Sequence, residues 1–472
     1  MRILHVAAEV APLIKTGGLA DVVGSLPAAQ RKLGHDVTVL VPGYPGVIAQ
    51  AGDLRSDVGL SVAGAGLLRG KLDGDVELLV VEHNDYFNRP GNPYLNSSGQ
   101  DWGDNHRRFA LLGRIGAELS RQSPGFDVVH AHDWHAGLTP AYLEAAGEGP
   151  VSCFTIHNLA FQGNFTWSEF LETGLPEPFY QVDGLEYYGG WSFMKAGLNF
   201  SDVITTVSPT YAHEILTDEA GMGFAGLLRQ RHKDLHGILN GVDYAVWSPA
   251  LDAALPQPYD FETLEGKAAN KAQMQSARGL SVDARCPLIG VVSRLTRQKG
   301  LDFALEALTG FVEAGCLQLL LLGTGDDDLE AGFAELAARY PKSCAVNIGY
   351  DETESHQIFG AADAILVPSL FEPCGLTQLY GLRYGTLPLV RNTGGLADTV
   401  TGFSGHNLAS ATGFQFAEPS AAALSRMLGQ VTRQFNDIDG WRQLMQNAMT
   451  QDFSWKRSAE RYLDLYRTLQ TR

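Results

Sequence analysis

Cysteine is scarce in this 472-residue chain, and long apolar runs are missing. The five cysteines, Cys153, Cys286, Cys316, Cys344 and Cys374, show neither metal-ligand nor redox spacing. That excludes a disulfide framework and suits small core residues in a reducing compartment. Apolar runs such as Leu319–Leu322 are far too short to span a bilayer. His5 and Glu9 interrupt what would be a signal-peptide core at the start, where a buried strand fits better. A cytoplasmic protein is therefore expected. Positive charge is also in deficit: 35 Lys and Arg against 53 Asp and Glu leave a net charge of −18. This argues against nucleic acid or an anionic membrane as the main partner. An anionic small ligand would need local basic residues to reverse the global field. Low-complexity segments and solenoid repeats are absent.

What is present is a repeated hexapeptide. Thr-Gly-Gly-Leu-Ala-Asp occurs at Thr16–Asp21 and again at Thr393–Asp398. Each copy follows a short strand-like run, Ile3–Ala8 or Leu387–Val390, and leads into a helix-like one. Glycine lets backbone amides approach a ligand, and a helix start adds unpaired N–H groups and partial positive charge. Both copies are therefore expected to be anion sites, in two similar halves facing one cleft. Lys15 precedes the first copy and supplies a point charge for phosphate. Asn392 stands there in the second, so the halves are not equivalent.

A chain of this length exceeds one core. Strand-like runs alternate with helix-like ones, from Ile3–Ala8 and Val128–Ala131 to Leu288–Val292 and Ala364–Val367. Many are apolar on both faces, as in parallel sheets covered by helices on both sides. The pattern predicts an α/β chain of two doubly wound, Rossmann-like domains. Residues 1–243 form the first and 287–454 the second. Pro249, Pro256 and Pro258 mark 244–286 as a linker region, and Ala459, Tyr462, Leu463, Tyr466 and Leu469 at helical spacing mark 455–472 as a final amphipathic helix.

In open α/β sheets, ligands sit beyond the carboxyl ends of strands. After Val128–Ala131 come His132, Asp133, Trp134 and His135. His130, His132 and His135 could bind zinc, but a carboxylate or fourth ligand at a known spacing is lacking, and a polar cleft fits better. Asp133 and Trp134 look like a sugar site, the carboxylate for hydroxyls and the indole for an apolar sugar face. His157 and Asn158 follow the strand at Ser152–Ile156, where Asn158 could equally cap a turn. Arg294 and Lys299 follow Leu288–Val292 and could converge on a diphosphate. Asp326, Asp327 and Asp328 make the Gly323-Thr324-Gly325 loop unfit for phosphate. Glu372 should point into the cleft, with a helix starting near Gly375.

Together these segments closely resemble the bacterial glycogen synthases and plant starch synthases. The matching stretches are Lys15–Asp21, His132–Gly137, Thr155–Gly163, Ile238–Asp243, Val291–Asp302 and Pro368–Gly385. The run from Phe371 to Gly381 is highly specific. The resemblance implies a GT-B fold and retaining transfer of glucose from ADP-glucose to the non-reducing 4-hydroxyl of an α-1,4-glucan such as glycogen. It implies no cofactor and no metal. By carry-over, Lys15, Gly18, Arg294 and Lys299 hold the donor diphosphate, helped by Cys374, Gly375, Leu376 and Thr377. Tyr350 stacks near the base. Glu372 binds the transferred glucose, with His157 and Asp133 beside the reacting centre. Glu9, Trp134, Asn158 and Asn240 line the glucose and acceptor side. The final helix crosses back to the first domain. Many retaining relatives carry a second glutamate eight positions after the first; here that residue is Tyr380. Rival readings are a non-catalytic glucan-binding scaffold and a synthase preferring UDP-glucose. A nicotinamide dehydrogenase should have Gly-x-Gly-x-x-Gly after its first strand, which Lys15–Asp21 does not fit.

Overall fold

The computed structural model describes residues 1–62, 64–96, 98–122 and 125–471, with side chains except at 57–61. It divides into two compact units, Met1–Gly241 with Trp455–Arg472, and Val242–Ser454.

The first unit is built on a nine-stranded sheet. Seven strands are parallel, in the order Leu235–Gly237, Val203–Thr206, Val151–Ile156, Val128–His132, Arg2–Val6, Asp36–Pro42 and Val76–Glu82. Their interior is buried on both faces, which is why their sequences read as continuous apolar runs rather than alternating ones. Ala65–Leu72 and Arg55–Val62 extend the edge antiparallel. The sequence reading has no strands there. Glycines at 59, 64, 66 and 70 dilute the pattern, and Ala65–Leu72, though paired on both sides, buries only Ala65 and Leu67. The terminal helix Trp455–Gln470 buries Trp455, Ala459, Tyr462, Leu463, Tyr466 and Leu469 in this first core.

The second unit carries six parallel strands, ordered Cys344–Ile348, Gln318–Gly323, Leu288–Val292, Ala364–Val367, Leu387–Arg391 and Phe414–Phe416. The stretch read as a linker at 244–286 is an integral part of this unit. Its helix Glu265–Ala277 sends Lys267 into the interior, where Nζ donates to Thr386 Oγ1 at 2.6 Å and the Phe359 carbonyl at 3.0 Å. Lys271 pairs with Asp363 at 2.6 Å, and Tyr259 donates to the Tyr384 carbonyl. Its prolines imitate a linker because they break strand periodicity, while its docking relies on buried lysine heads that no apolar pattern reveals.

Each parallel sheet has one point where strand order reverses. In the first unit it lies between Arg2–Val6 and Val128–His132; in the second, between Leu288–Val292 and Ala364–Val367. Loops leaving the two central strands part in opposite directions there and open a crevice.

Candidate active site

At the first unit's reversal point, the chain leaves Arg2–Val6 through residues 7–17 before the helix Gly18–Lys32. Lys15, Thr16, Gly17 and Gly18 are exposed, and no atom lies within 4 Å of a Cβ added at either glycine. The amide face of this copy is therefore open to a ligand. Lys15 Nζ reaches Asp21 of the same motif at 2.7 Å. Glu9, expected to line the glucose and acceptor side, turns its carboxylate to the loop itself. It is buried, accepts from the Thr16 N–H and hydroxyl at 2.5 Å each, and accepts the Tyr94 hydroxyl. A carboxylate so occupied holds the loop's entry in place.

Asp133 begins immediately after Val128–His132 and is buried with φ +55°, a left-handed conformation uncommon outside glycine. Its Oδ1 accepts the N–H groups of His157 at 3.0 Å and Asn158 at 3.4 Å, so it shapes the next strand's exit. Loss of hydration pushes its carboxyl up to about 7, against those two N–H groups, which hold it down. Asn158 Oδ1 accepts from the Ala160 N–H at 3.0 Å, the turn-capping role. Trp134 is not a sugar platform. Only 9% exposed, it packs edge-on against Phe109 and Phe193, and a Cβ on Gly163 would lie 2.3 Å from its ring. Asn240 is buried, in the segment after Leu235–Gly237.

The histidine triplet separates. His130 and His132 point into a buried cluster with His5, whose ligand atoms lie within 4.8 Å of one another. Each of the six ring nitrogens already has a hydrogen-bond partner, among them His132 Nδ1 with His157 Nε2 at 3.0 Å. His135 stacks on Tyr94 instead. Burial pushes His5 down to about 4 and His157 to about 3, so both rings are neutral at neutral pH.

At the second unit's reversal point, Leu288–Val292 leads to Arg294, which is exposed, and to Lys299. Gly300 turns the chain with φ +69°, where an added Cβ would meet the Pro368 carbonyl at 2.3 Å. Lys299 Nζ pairs with Glu372 Oε2 at 2.6 Å, and Ser369 donates to the same oxygen at 2.8 Å. Glu372 is 8% exposed. Beyond it, Gly375, Leu376 and Thr377 are half-buried and lead into the helix Thr377–Tyr384, which starts two residues later than expected. Leu376 is the N-cap and Thr377 the first helical residue, whose N–H has no intrahelical partner, while Gly375 turns the chain ahead of them with φ +74°. Cys374 is 4% exposed, so its thiol is a packed neighbour of the loop rather than a group open to reagents or donor.

The second hexapeptide is not an anion site. Thr393 to Leu396 are buried, and the Gly395 N–H is shared between the Glu372 and Pro373 carbonyls at 3.1 Å each. A Cβ on Gly394 would lie 2.0 Å from the Glu372 oxygen, and one on Gly395 2.1 Å from the Cys374 oxygen. This copy braces the Glu372 loop. In the acidic loop, Glu330 accepts from the Gly325 N–H and the Thr324 hydroxyl, which agrees with a capped rather than phosphate-binding turn. Tyr350 follows Cys344–Ile348 with its ring 77% exposed. Residue reading missed Ser369, Tyr94, Gln30 and Tyr466. A histidine in the middle of an apolar first strand, His5, was the available signal for a buried polar network. A recess lined by Arg2, Arg31, Asp36 and Asp75 lies at the amino ends of the first sheet. Arg31 there pairs with Asp36 and Asp75, so it is no rival site.

Residues 2–230 match the family model described as the starch synthase catalytic domain, and 277–435 that of glycosyl transferases group 1. The chain is 50% identical to the glycogen synthase of Edwardsiella ictaluri over 477 residues, covering 99% of this chain and 100% of that protein. It is also 50% identical to that of Rhodopseudomonas palustris, covering 99% of each. Among solved structures, the catalytic domain of starch synthase IV from Arabidopsis thaliana, bound to ADP and acarbose, matches with a TM-score of 0.90. Identity there is 32%, over 100% of this chain and 99% of that one. Sucrose-phosphate synthase from Thermosynechococcus elongatus, 16% identical with a TM-score of 0.61 over 99% of each chain, shares the fold.

Proposed function

The chain belongs to the glycogen synthase family, and from that premise we propose that it transfers glucose from ADP-glucose to the non-reducing 4-hydroxyl of an α-1,4-glucan, with retention of configuration. That it is a glycosyltransferase of GT-B fold follows from its relatives. One observation carries the finer reading: Lys299 and Ser369 meet on one carboxylate oxygen of Glu372, directly ahead of the helix entry at Gly375–Thr377. A cation and helix-entry amides suited to phosphate, beside a carboxylate suited to sugar hydroxyls, match the junction of diphosphate and glucose in a nucleotide sugar.

In this reading Arg294, Lys299 and the 375–377 amides stabilise the departing diphosphate, where negative charge develops. In the first unit, Lys15 and the open amides at Gly17 and Gly18 offer an anion-binding face of their own. Glu372 holds the glucose, and His157 positions it on the acceptor side. The reaction proceeds by front-face attack through an oxocarbenium-like state, with the leaving phosphate accepting the acceptor proton. Asp133 acts through the backbone of His157 and Asn158. Tyr350 offers an exposed ring to the base, and the ADP bound in the Arabidopsis relative supports adenine. No step needs a metal. The test is nucleotide release from matched ADP-glucose and UDP-glucose, with and without glycogen. Faster ADP release that depends on glycogen, with an α-1,4 product, is expected. Equal rates with UDP-glucose overturn the donor assignment; glycogen binding with neither nucleotide released would leave a scaffold.

A further inference from the structure

The buried polar groups of the first unit form one connected chain that the transfer mechanism does not itself require. The Gln30 side-chain carbonyl lies 2.7 Å from His5 Nε2. His5 Nδ1 lies 2.9 Å from His132 Nε2, and His132 Nδ1 lies 3.0 Å from His157 Nε2. Gln30, His5 and His132 are buried, whereas His157 is half-buried. A neutral imidazole has one donor and one acceptor nitrogen, so a file of such rings must point its N–H groups one way. The amide at its end sets the direction. Its Nε2 faces the Tyr466 hydroxyl at 3.5 Å, and that hydroxyl lies 2.7 Å from His130 Nδ1. His130 Nε2 in turn faces Thr155 Oγ1 at 2.6 Å. Tyr466 therefore gives its proton to His130 and its lone pair to Gln30, which leaves the Gln30 carbonyl to accept from His5.

We propose that Gln30, His5 and His132 are positioning residues that lock His157 as its Nε2–H tautomer, so that its Nδ1 accepts a hydrogen bond from a hydroxyl of the bound sugar. Burial, which holds these rings neutral, keeps the one-way order intact at neutral pH. The terminal helix enters through Tyr466, so the end of the chain helps decide a tautomer at the opposite end of the file. The sugar partner rests on the functional reading above; the locked tautomer does not.

Ring 15N chemical shifts of histidine-labelled full-length protein test the proposal. His5, His132 and His157 should all show the Nε2–H pattern. Gln30→Met removes the acceptor. It should mix the His157 tautomers and lower kcat at least about tenfold with donor KM unchanged, since a wrong tautomer disables a catalytic histidine. Gln30→Glu retains an acceptor and should keep the Nε2–H pattern and most of kcat. An Nδ1–H His157 in the unsubstituted protein overturns the proposal, and that spectrum decides even if Gln30→Met does not fold. Unchanged tautomers in Gln30→Met also overturn it, whether or not kcat falls. Full transfer by His157→Ala beside the expected spectrum would sink the sugar contact and the functional reading, and leave the lock standing.

Discussion

Two copies of one hexapeptide do different work in this molecule. At Thr16–Asp21 the glycines stand open, with nothing within 4 Å of an added Cβ, and a 15-residue helix follows. At Thr393–Asp398 the glycines are buried under the backbone of Glu372 to Cys374, and the helix Gly394–Thr399 is six residues long. The same letters yield an open amide surface in one place and a close-packed brace in the other. Glycine serves both because it removes a side chain, and neighbouring chain decides whether ligand or protein takes the space.

Substituting the brace is the strongest way to separate the copies. Gly394→Ala or Gly395→Ala forces backbone to move, and at Gly394 a φ of +45° adds strain of about 1–2 kcal/mol. Both variants should melt well below the parent and lose transfer activity through displacement of Glu372. Gly17→Ala and Gly18→Ala should melt within about 1 kcal/mol of it, because no protein atom is displaced. Thermal unfolding of the four variants side by side checks this; equal losses would erase the distinction.

Acid should also distinguish the two units. His5, His130, His132 and His157 are held below their ordinary range by burial in the first unit. Below about pH 6.5 the unfolded chain binds protons that the folded one refuses. Their stabilising effect is complete above that pH and is lost as pH falls below it, towards about 4 for His5 and about 3 for His157. For His5 alone the span from 6.5 to about 4 is worth roughly 3 kcal/mol. Asp133 acts oppositely: its folded carboxyl keeps its proton up to about 7, so its contribution falls as pH rises from about 4 to 7. His5 and His157 together already outweigh the one carboxyl. Hydrogen exchange at pH 7 and pH 5 should show protection lost first in Arg2–Val6 and Val128–His132, and retained in Leu288–Val292. Loss in the reverse order would contradict the account.

The two cations proposed for the donor diphosphate give the next effect. Arg294→Ala and Lys299→Ala each remove a charge-assisted contact of about 1.5–3 kcal/mol, and turnover should fall at least tenfold with the fold unchanged. Glu372→Gln should keep ADP affinity but lose most transfer. Affinity and rate falling together would make Glu372 a structural part of the phosphate loop. The smallest effect is chemical. Iodoacetamide should label exposed Cys316 first and spare buried Cys374; peptide mapping reads the order directly.

The fold was largely legible, because strands such as Leu288–Val292 and Ala364–Val367 are apolar on both faces and stand between helical periods. The strand-exit rule also brought out Arg294, Lys299, Glu372 and His157. Environment was not legible. Trp134 and Cys374 are polar-cleft candidates by position but core residues by packing, and Glu9 is occupied by Thr16 and Tyr94. Local pattern cannot show whether a loop residue faces solvent or a distant segment. The segment at 244–286 failed for the same reason, its docking being made through Lys267 and Lys271.

The most direct test of the division of labour is an ADP titration of Gly18→Ala against the parent, with the unfolding midpoint measured on the same samples. An unchanged midpoint and weaker ADP binding are expected, because the added methyl meets no protein atom and stands on the face proposed for the ligand. A lowered midpoint with ADP affinity intact would show that the first copy is a brace like the second.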